Sequence, residues 1–439
     1  LASAPEQKEN GLFIPAGVLR DGLGFSYTWN EDSMTAVFSS DNTDISDIRY
    51  YYSNSEYGKL TDVKNQQDLG VCWAFASLTA LESSLLPEET WDFSEDHMIY
   101  NNPSVAADSD GGDFLAALSY LTSWRGPVKE EDDPFNDGES DPSLSAVKHV
   151  QEVRFLEYKD YETIKKMVFK YGAVETSLHI AFEEENYVSP DYYDYETCGY
   201  CYDGKADANH EVVIVGWDDD FPKEALGGHA TGNGAFICRN SWGSAFGDNG
   251  LFYVAYDDAV IGQKSEVYTR IDDADNYDNI YQWDSAGWNG SIGYGRNRAY
   301  AANVFTAHGD ETLKGVSLIA NGVNTSYRIW ICRDFKNTDS LKVTGTPAAQ
   351  GVFEDRGYYT VELTDDIELK EGERFAVIAE IITTGSARPV AVNIPMSGAG
   401  VPGGGAAGES YISNYGQEGE CTQDKNNCTV CMKVFTEEN

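Results

Sequence analysis

The stretch KNQQDLGVCWAFA, residues 64–76, constrains the fold and chemistry of this chain more than any other part of the sequence. Gln66 precedes Cys72 by six positions, Gly70 lies between them, and a helical pattern of apolar residues begins at the cysteine. Unpaired N–H groups and the positive end of a helix dipole favour the thiolate of a cysteine at a helix N-terminus. Gly70 permits a tight turn, so the Gln66 amide and the Cys72 N–H can point at one oxyanion. The stretch predicts a nucleophilic cysteine followed by a helix that ends before Pro87.

Two later stretches supply polar partners for such a cysteine. His210 opens the run HEVVIVGW, whose β-branched residues predict a central strand, and a strand end holds a base rigidly. The other five histidines lack this context and are interpreted as surface or core residues. Asn240 follows a second apolar run, residues 235–238, and an amide oxygen can orient a histidine ring without adding a charge.

Together with the turn Asn240-Ser241-Trp242-Gly243, these motifs resemble the papain-like cysteine peptidases over residues 44–262. The resemblance implies an α+β, two-lobed peptidase with a helical lobe and a β-barrel-like lobe. It also implies roles for individual residues: Cys72 as the nucleophile, His210 as the base, Asn240 as its orienting partner and Gln66 as an oxyanion donor. Trp242 would cover the hydrogen bond between His210 and Asn240 and exclude water from it.

The resemblance further implies a set of substrate contacts. The glycine pair Gly111-Gly112 would line the cleft on the N-terminal side of the scissile bond, where bare backbone can bind an extended peptide as an added strand. A turn without function is the alternative interpretation of this pair. Ser177 and Ala208 would lie near the pocket for the second substrate residue. The full set of expected substrate-contacting residues is Gly70, Gly111, Gly112, Ser177, Ala208, Asn209 and Trp242.

Local signals predict further helices and a strand. Ser94 and Asp160 are candidate helix caps, and a third helix should follow residues 108–113. After Gly172, the apolar positions alternate from Val174 to Ile180, which predicts a half-buried strand.

Length and charge restrict the class of protein. A chain of 439 residues is too long for one ordinary domain. With 31 Lys and Arg against 73 Asp and Glu, the net charge is −42, so we expect repulsion from nucleic acids and anionic membranes. No apolar run reaches the ~18 residues of a membrane span. Residues 2–4, Ala-Ser-Ala, have the small side chains of a signal cleavage site, which predicts an extracellular or cell-surface protein.

Residues 1–43 precede the predicted peptidase domain, which we place at 44–268. Their aromatic and aliphatic residues need a packing partner, among them Phe13, Ile14, Leu19, Leu23, Phe25, Tyr27 and Trp29. This segment is predicted to be a short inhibitory pro-segment of a zymogen, lying along the cleft near Gly112, or else a permanent strap packed on the peptidase.

From residue 280 to 439 the apolar pattern has a period of two. Strands are predicted at 313–320, 326–332, 357–362, 375–382 and 429–436, which is typical of a β-sandwich. This half resembles the lectin-like domain that follows some prokaryotic papain-like peptidases. A glycan is therefore one expected partner of this half, and the alternative is that it has no ligand.

Metal sites are not favoured. The acidic stretch 272–278 could hold calcium, but it lacks the spacing of an EF-hand and is better interpreted as a solvated linker. The pairs Cys198/Cys201 and Cys428/Cys431 could in principle share zinc, whereas disulfides or free thiols are preferred, with Cys198–Cys201 and Cys421–Cys428 as the short-loop pairings.

These predictions converge on a secreted thiol endopeptidase without a cofactor, acting on proteins or peptides. The alternative from another class is an inactive peptidase relative that serves as a surface adhesin or glycan-binding protein.

Overall fold

The computed structural model describes residues 50–105, 111–184, 187–395, 409–417, 419–421 and 427–439, together with four short strands before residue 50. Those strands form two antiparallel pairs. They are β1 (Glu6–Lys8), β2 (Gly11–Phe13), β3 (Ser26–Asn30) and β4 (Thr35–Ser39). The remainder of residues 1–43 lies outside the described part of the chain, so the pro-segment and the strap both stay predictions.

Four α-helices occur in the described residues. They are α1 (Cys72–Leu85), α2 (Glu95–Tyr100), α3 (Phe114–Thr122) and α4 (Tyr161–Tyr171). Ser94, Asp113 and Asp160 cap the last three, each by accepting a hydrogen bond from a backbone N–H in the first turn. At α1 the capping position is Val71, whose side chain makes no such bond. The N-terminus of α1 therefore keeps its N–H groups for other partners.

The strands of the first half surround a central strand that begins at His210. They are β5 (Tyr51–Ser53), β6 (Lys148–Phe155), β7 (Val174–Leu178), β8 (Phe182–Glu184), β9 (Tyr187–Val188), β10 (Tyr193–Asp194), β11 (Gly199–Tyr200), β12 (His210–Asp218), β13 (Ala235–Arg239), β14 (Leu251–Ala255) and β15 (Ser265–Asp273). Strand β12 pairs with β5, β7 and β13. The predicted half-buried character of β7 is wrong: all five residues are buried, because α1 covers one face and α4 the other.

In the described residues of the second half, the regular secondary structure is strand apart from a short 3-10 helix, Thr338–Leu341. The strands are β16 (Asn279–Tyr281), β17 (Gly290–Ile292), β18 (Arg298–Thr306), β19 (Glu311–Ala320), β20 (Thr325–Cys332), β21 (Ala349–Phe353), β22 (Arg356–Leu369), β23 (Arg374–Thr383), β24 (Val390–Asn393), β25 (Ser410–Ser413), β26 (Glu420–Cys421), β27 (Thr429–Val430) and β28 (Val434–Glu438). A sheet in the order β21-β20-β23-β18-β25-β26 packs on the sheet edge β22-β19-β28-β16. The strand predicted at 357–362 continues to Leu369, and the one predicted at 429–436 is interrupted after Val430.

One sheet runs through both halves of the molecule. Strand β6 pairs with β15 on one side and with β22 on the other, which joins strands of the peptidase half and the C-terminal half into a single sheet. The ion pair between Arg154 and Asp355, 3.4 Å apart, lies at this junction. Apolar residues of α1 share a buried cluster with Ile319 and Tyr358 of the C-terminal half. The two halves are therefore joined by strand pairing and a common core.

The prediction of a solvated linker at residues 272–278 is wrong for the start of this stretch, which belongs to the sheet. Asp272 and Asp273 are the last residues of β15 and pair with β6. Their carboxylates form ion pairs, Asp272 with Arg270 at 2.8 Å and Asp273 with Lys148. This part of the stretch is thus a paired strand end whose acidic groups already have basic partners.

Six of the described cysteines are free thiols. They are Cys72, Cys198, Cys201, Cys238, Cys332 and Cys431. The Cys198–Cys201 pairing is therefore not formed, and the side chain of Cys421 lies outside the described residues. Across the described ranges, no helix combines the length and the apolar character needed to cross a membrane.

Candidate active site

A cavity of about 600 Å³ lies between the N-terminus of α1 and the start of β12. All but one of the predicted site residues line it: Gln66, Gly70, Cys72, Gly111, Gly112, Ser177, Ala208, Asn209, His210 and Trp242. The exception is Asn240, which is buried behind His210. The sequence motifs, far apart along the chain, therefore converge on one cleft.

Cys72 is the first residue of α1 and reaches the cavity wall. Its surroundings raise the pKa of the thiol to about 12, chiefly because a thiolate at this position is poorly solvated. The backbone N–H groups of Glu211 and Trp73 act in the opposite direction by hydrogen bonding to the sulfur. An isolated thiolate is thus disfavoured here, whereas the two N–H groups are placed to stabilise one that forms beside a cation.

His210 is held by Asn240 and covered by Trp242. Asn240 Oδ1 lies 2.8 Å from His210 Nε2 and also accepts the Ser241 N–H at 2.8 Å. Because Oδ1 is an acceptor, Nε2 carries the hydrogen and Nδ1 is the basic nitrogen. The Trp242 ring centroid lies 4.8 Å from that of His210. Burial lowers the pKa of His210 to about 4, and the bond to Asn240 opposes this shift.

Gln66 is fixed by two hydrogen bonds of its side chain. Its Oε1 accepts a hydrogen bond from Ser241 Oγ at 2.6 Å, and its Nε2 donates to the Leu69 carbonyl at 2.7 Å. An amide nitrogen carries two hydrogens, so one remains for the cavity that Gln66 lines. The prediction from sequence assigned no role to Ser241, although this residue lies in the turn formed by residues 240–243.

At the predicted glycine pair, the backbone comes too close to a neighbouring side chain for a residue with a Cβ. A Cβ on Gly112 would lie 2.6 Å from Nε1 of the buried Trp73 indole, so only glycine fits against that ring. Gly111 has a φ of +110° and donates its N–H to the Gly70 carbonyl at 3.0 Å. This bond ties the glycine loop to the loop that precedes Cys72.

Two of the other predicted substrate contacts have structural partners. Asn209 uses its side chain to bind both the N–H and the carbonyl of Ile180, at 2.8 and 3.0 Å. Ser177 Oγ donates to Glu211 Oε1 at 2.9 Å. Ala208 also lines the cavity. Asn209 therefore contributes to the wall mainly by holding the loop after β7.

Several cavity residues were missed by sequence reasoning. Glu211 and Lys264 are ionisable residues of the cavity wall. Phe182 also lines the cavity, and its ring centroid lies 5.9 Å from that of Trp242. Only Glu211 carried a local signal, because it follows His210 in a strand that is otherwise apolar. In the parts of the chain that the structure describes, no group of three His, Cys, Asp or Glu side chains is arranged to hold a metal ion.

Comparison with protein families divides the chain as the fold does. A family model described as papain family cysteine protease matches residues 47–271, just over half of the chain, and one described as lectin like domain matches residues 280–436. The chain is 27% identical over 213 residues to cysteine proteinase 1 of Entamoeba histolytica, covering 47% of this chain and 63% of that protein. It is 27% identical over 219 residues to the viral cathepsin of Epiphyas postvittana nucleopolyhedrovirus, covering 48% and 61%. The chain thus spans less than two thirds of these relatives.

Solved structures match over both halves. The clostridial cysteine protease Cwp84 after propeptide cleavage has a TM-score of 0.78 and 26% identity, covering 89% of this chain and 99% of that one. A structure of the protease and lectin-like domains of Cwp84, a surface layer associated protein of Clostridium difficile, has a TM-score of 0.77, 25% identity and 89% coverage of both chains. This chain therefore belongs to the papain family of cysteine proteases, and a lectin-like domain follows its protease domain.

Proposed function

We propose that this protein is a cysteine endopeptidase in which Cys72 attacks the scissile carbonyl of a protein or peptide substrate. The observation that carries the proposal is the arrangement around His210: Asn240 binds Nε2, which leaves Nδ1 as the base in the cavity that also contains Cys72. The uncharged amide orients the ring without competing for its proton.

The first step is a proton transfer from Cys72 to His210. Each charged group alone is disfavoured by burial, but the transfer creates a thiolate and an imidazolium together, and opposite charges attract strongly in an enclosed site. The N–H groups of Trp73 and Glu211 add to the stabilisation of the sulfur. The pair therefore forms as a unit.

The thiolate then adds to the carbonyl carbon and forms a tetrahedral intermediate. Its oxyanion is stabilised by the free Nε2 hydrogen of Gln66 and the backbone N–H of Cys72. His210 gives its proton to the leaving amine, and a thioester with Cys72 remains. A water molecule, deprotonated by His210, hydrolyses the thioester and restores the thiol.

Gly112 is proposed to bind the backbone of the substrate. Among the described residues, its N–H and carbonyl have no backbone partner, and it lies on the cavity wall. An extended peptide can therefore pair with this backbone on the N-terminal side of the scissile bond. Trp242 and the exposed Phe182 also line this cavity.

We extend the proposal to an extracellular or cell-surface location and to synthesis as a zymogen. The support is the similarity to Cwp84, which is described as surface layer associated and was solved after propeptide cleavage. The lectin-like domain is proposed to bind a glycan. Cell fractionation tests the location, and a glycan array with the full chain tests the ligand.

The central test compares the wild type with Cys72→Ala and Asn240→Ala on a denatured protein substrate. We expect no cleavage by Cys72→Ala and strongly reduced cleavage by Asn240→Ala. Cleavage by Cys72→Ala would refute the mechanism. A folded wild type that neither cleaves nor reacts with a thiol-directed affinity label would instead favour the adhesin alternative.

A further inference from the structure

Polar side chains form a row across five neighbouring strands of the six-stranded sheet in the lectin-like domain. Each lies directly opposite the next, and in spatial order they are Gln350 on β21, Arg328 on β20, Glu380 on β23, Tyr300 on β18 and Ser413 on β25. We call these five residues the polar row. Because side chains alternate along a strand, the row lies on the outer face, opposite the sandwich core that contains Ile329, Ala379 and Ala301.

The rest of the chain covers the apolar part of this outer face but leaves the polar row accessible within the described ranges. The segment between β20 and β21 places Phe335 and Leu341 in a buried cluster with Ala302 and Ile378, which are outer-face residues of β18 and β23. In contrast, the Arg328 side chain is 34% exposed. A ligand can therefore reach the row from solvent.

The centre of the row carries an excess of positive charge. The buried Glu380 accepts hydrogen bonds from Arg328 Nη1 at 2.7 Å and from the Tyr300 hydroxyl at 2.6 Å, and its Oε1 lies 3.2 Å from Nε of Arg298. Two guanidinium groups thus share one carboxylate, which leaves one positive charge over. Each guanidinium has five N–H donors, so Arg328 and the 43% exposed Arg298 keep donors for a ligand.

Aromatic rings border the row at two places. The guanidinium of Arg296 lies 5.3 Å from the ring centroid of Tyr415, which is 65% exposed. The turn that carries Tyr415 adjoins the row, because a Cβ on Gly416 would lie 2.9 Å from the Tyr300 ring. Trp330, two residues along β20 from the row, is half-buried on the same face. The site therefore combines arginines, uncharged polar groups and partly exposed aromatic rings.

We infer that the polar row, with Arg296 and Arg298, binds an acidic glycan whose carboxylate or phosphate groups pair with the arginines. This inference rests on the proposed glycan binding of the lectin-like domain and adds the site and the charge of the ligand. A guanidinium binds a carboxylate or phosphate through two parallel N–H bonds. Gln350 and Ser413 can bind sugar hydroxyls, and aromatic faces can pack against the C–H groups of sugar rings.

The dimensions of the row favour a chain of sugars over a single acid. Five neighbouring strands lie ~4.8 Å apart, so the row spans ~19 Å, enough for several sugar units in an extended oligomer. The net charge of the whole chain is −42, and its long-range field repels a polyanion. Binding of an acidic glycan to this protein would therefore indicate a local positive site and not a general attraction.

The test measures binding of the full chain to oligomers of galacturonic acid by titration calorimetry. The same oligomers with methyl-esterified carboxyl groups provide the neutral comparison, and a mannose phosphate oligomer shows whether phosphate is preferred. We expect binding of an acidic oligomer and not of the neutral one. Arg328→Gln should weaken it by about tenfold or more, because charge-assisted hydrogen bonds are lost. Arg333→Gln is the matched control, since Arg333 follows β20 and pairs with Glu373 outside the row.

A second variant separates binding from folding. Arg296→Gln leaves Glu380 with both of its arginines, because the described contacts of Arg296 are with Asn414 and Tyr415. It should weaken binding of the acidic oligomer several-fold with an unchanged melting temperature. Cleavage of a denatured protein should match the wild type in all three variants, because the row lies outside the catalytic cavity.

Three results would overturn the inference while glycan binding stands or is replaced. They are equal binding of the neutral and acidic oligomers, equal effects of Arg328→Gln and Arg333→Gln, and binding of poly-glutamate as tightly as the acidic oligomers, which would indicate an acidic polypeptide as the partner. Absence of binding to every glycan of an array and to these oligomers would refute the proposed ligand of the lectin-like domain, and the inference with it.

Discussion

The hydroxyl of Ser241 donates a hydrogen bond to Gln66 Oε1 at 2.6 Å and so determines which end of the Gln66 amide faces Cys72. The Ser241 carbonyl also accepts the Gln66 backbone N–H at 2.8 Å. The same residue donates its N–H to Asn240 Oδ1. One serine thus orients both the proposed oxyanion donor and the amide that holds His210.

Replacement of Ser241 by alanine should reduce kcat more than it changes KM. The Gln66 amide would lose the bond that fixes its orientation, and a typical neutral hydrogen bond contributes about 1 kcal/mol, or roughly fivefold in rate. Steady-state kinetics on one peptide measures the effect. Ser241→Thr keeps a hydroxyl and should retain more activity. Equal losses in both variants would contradict an orienting role.

Gln66→Ala should lower kcat by on the order of 100-fold, the usual effect of removing one oxyanion donor. The thiolate would still form, because Cys72 and His210 are unchanged. Active-site labelling with a small alkylating agent should therefore proceed at nearly the wild-type rate. Loss of labelling together with turnover would show that Gln66 acts through the fold around Cys72 and not on the oxyanion.

Lys64 is expected to hold the loop before Gln66 in place. Its Nζ lies 2.7 Å from Glu82, 2.9 Å from Asp92 and 2.8 Å from Glu95, and the first and last of these acids are buried. Lys64→Met should lower the free energy of unfolding by about 3–5 kcal/mol at pH 8, because it leaves buried carboxylates without a cation. Urea unfolding measures this loss.

The loss should be smaller at pH 5. The pKa values of Glu82 and Glu95 are raised to about 7, so both can be protonated there. Lys129→Met is the matched control, because its pair with Glu131 is exposed, and we expect a change of at most ~1 kcal/mol. Equal losses in the two variants would contradict the buried network.

Glu175→Gln should stabilise the protein at high pH. Burial and the neighbouring Glu211 hold the pKa of Glu175 well above its usual value, so the folded protein keeps a proton that the unfolded chain releases. The wild type therefore loses stability as the pH rises above the ordinary glutamate pKa of about 4.3. Glutamine cannot ionise and still accepts from Ser77.

Thermal unfolding at pH 5 and pH 8 checks this prediction. The variant should gain in melting temperature over the wild type at pH 8, and the gain should shrink at pH 5. Glu162→Gln should behave as the wild type at both pH values. A gain that does not depend on pH would point to packing and not to ionisation.

Gly357 lies at the pairing of β6 with β22. A Cβ at this position would be 2.2 Å from the Val153 carbonyl oxygen, so a side chain must push the strands apart. Gly357→Ala should cost about 1–3 kcal/mol and broaden or split the unfolding transition in calorimetry. Gly232→Ala, where the added Cβ has open space, is the control. An unchanged single transition in Gly357→Ala would contradict the idea that the pairing of β6 with β22 makes the two halves unfold together.

Much of the secondary structure of the protease half could be predicted from the sequence, because the signals for it are local. The helix at Cys72, the caps at Ser94 and Asp160, and the strand at His210 each depend on neighbouring residues, and the structure confirms them. The resemblance to papain-like peptidases added the order of four distant motifs. The family match confirms that resemblance.

What the sequence could not provide depends on contacts between distant segments. Nothing near Lys148 to Phe155 indicates that this strand pairs with both halves of the chain. The burial of Glu175 depends on α1 and β15, which lie far from it in sequence. A charged residue in an alternating pattern therefore suggested a solvated face, and the structure shows the opposite.

The strand pairing through β6 also fixes the direction in which the cleft faces. A flexible linker would let a protease sweep through a volume around its point of attachment, at a local concentration set by the linker length. Here the lectin-like domain and the cleft keep one distance and one angle. If the C-terminal half were bound to a surface, the cleft would stay at a fixed height above that surface. The enzyme would then cleave only those substrate segments that are presented at that height.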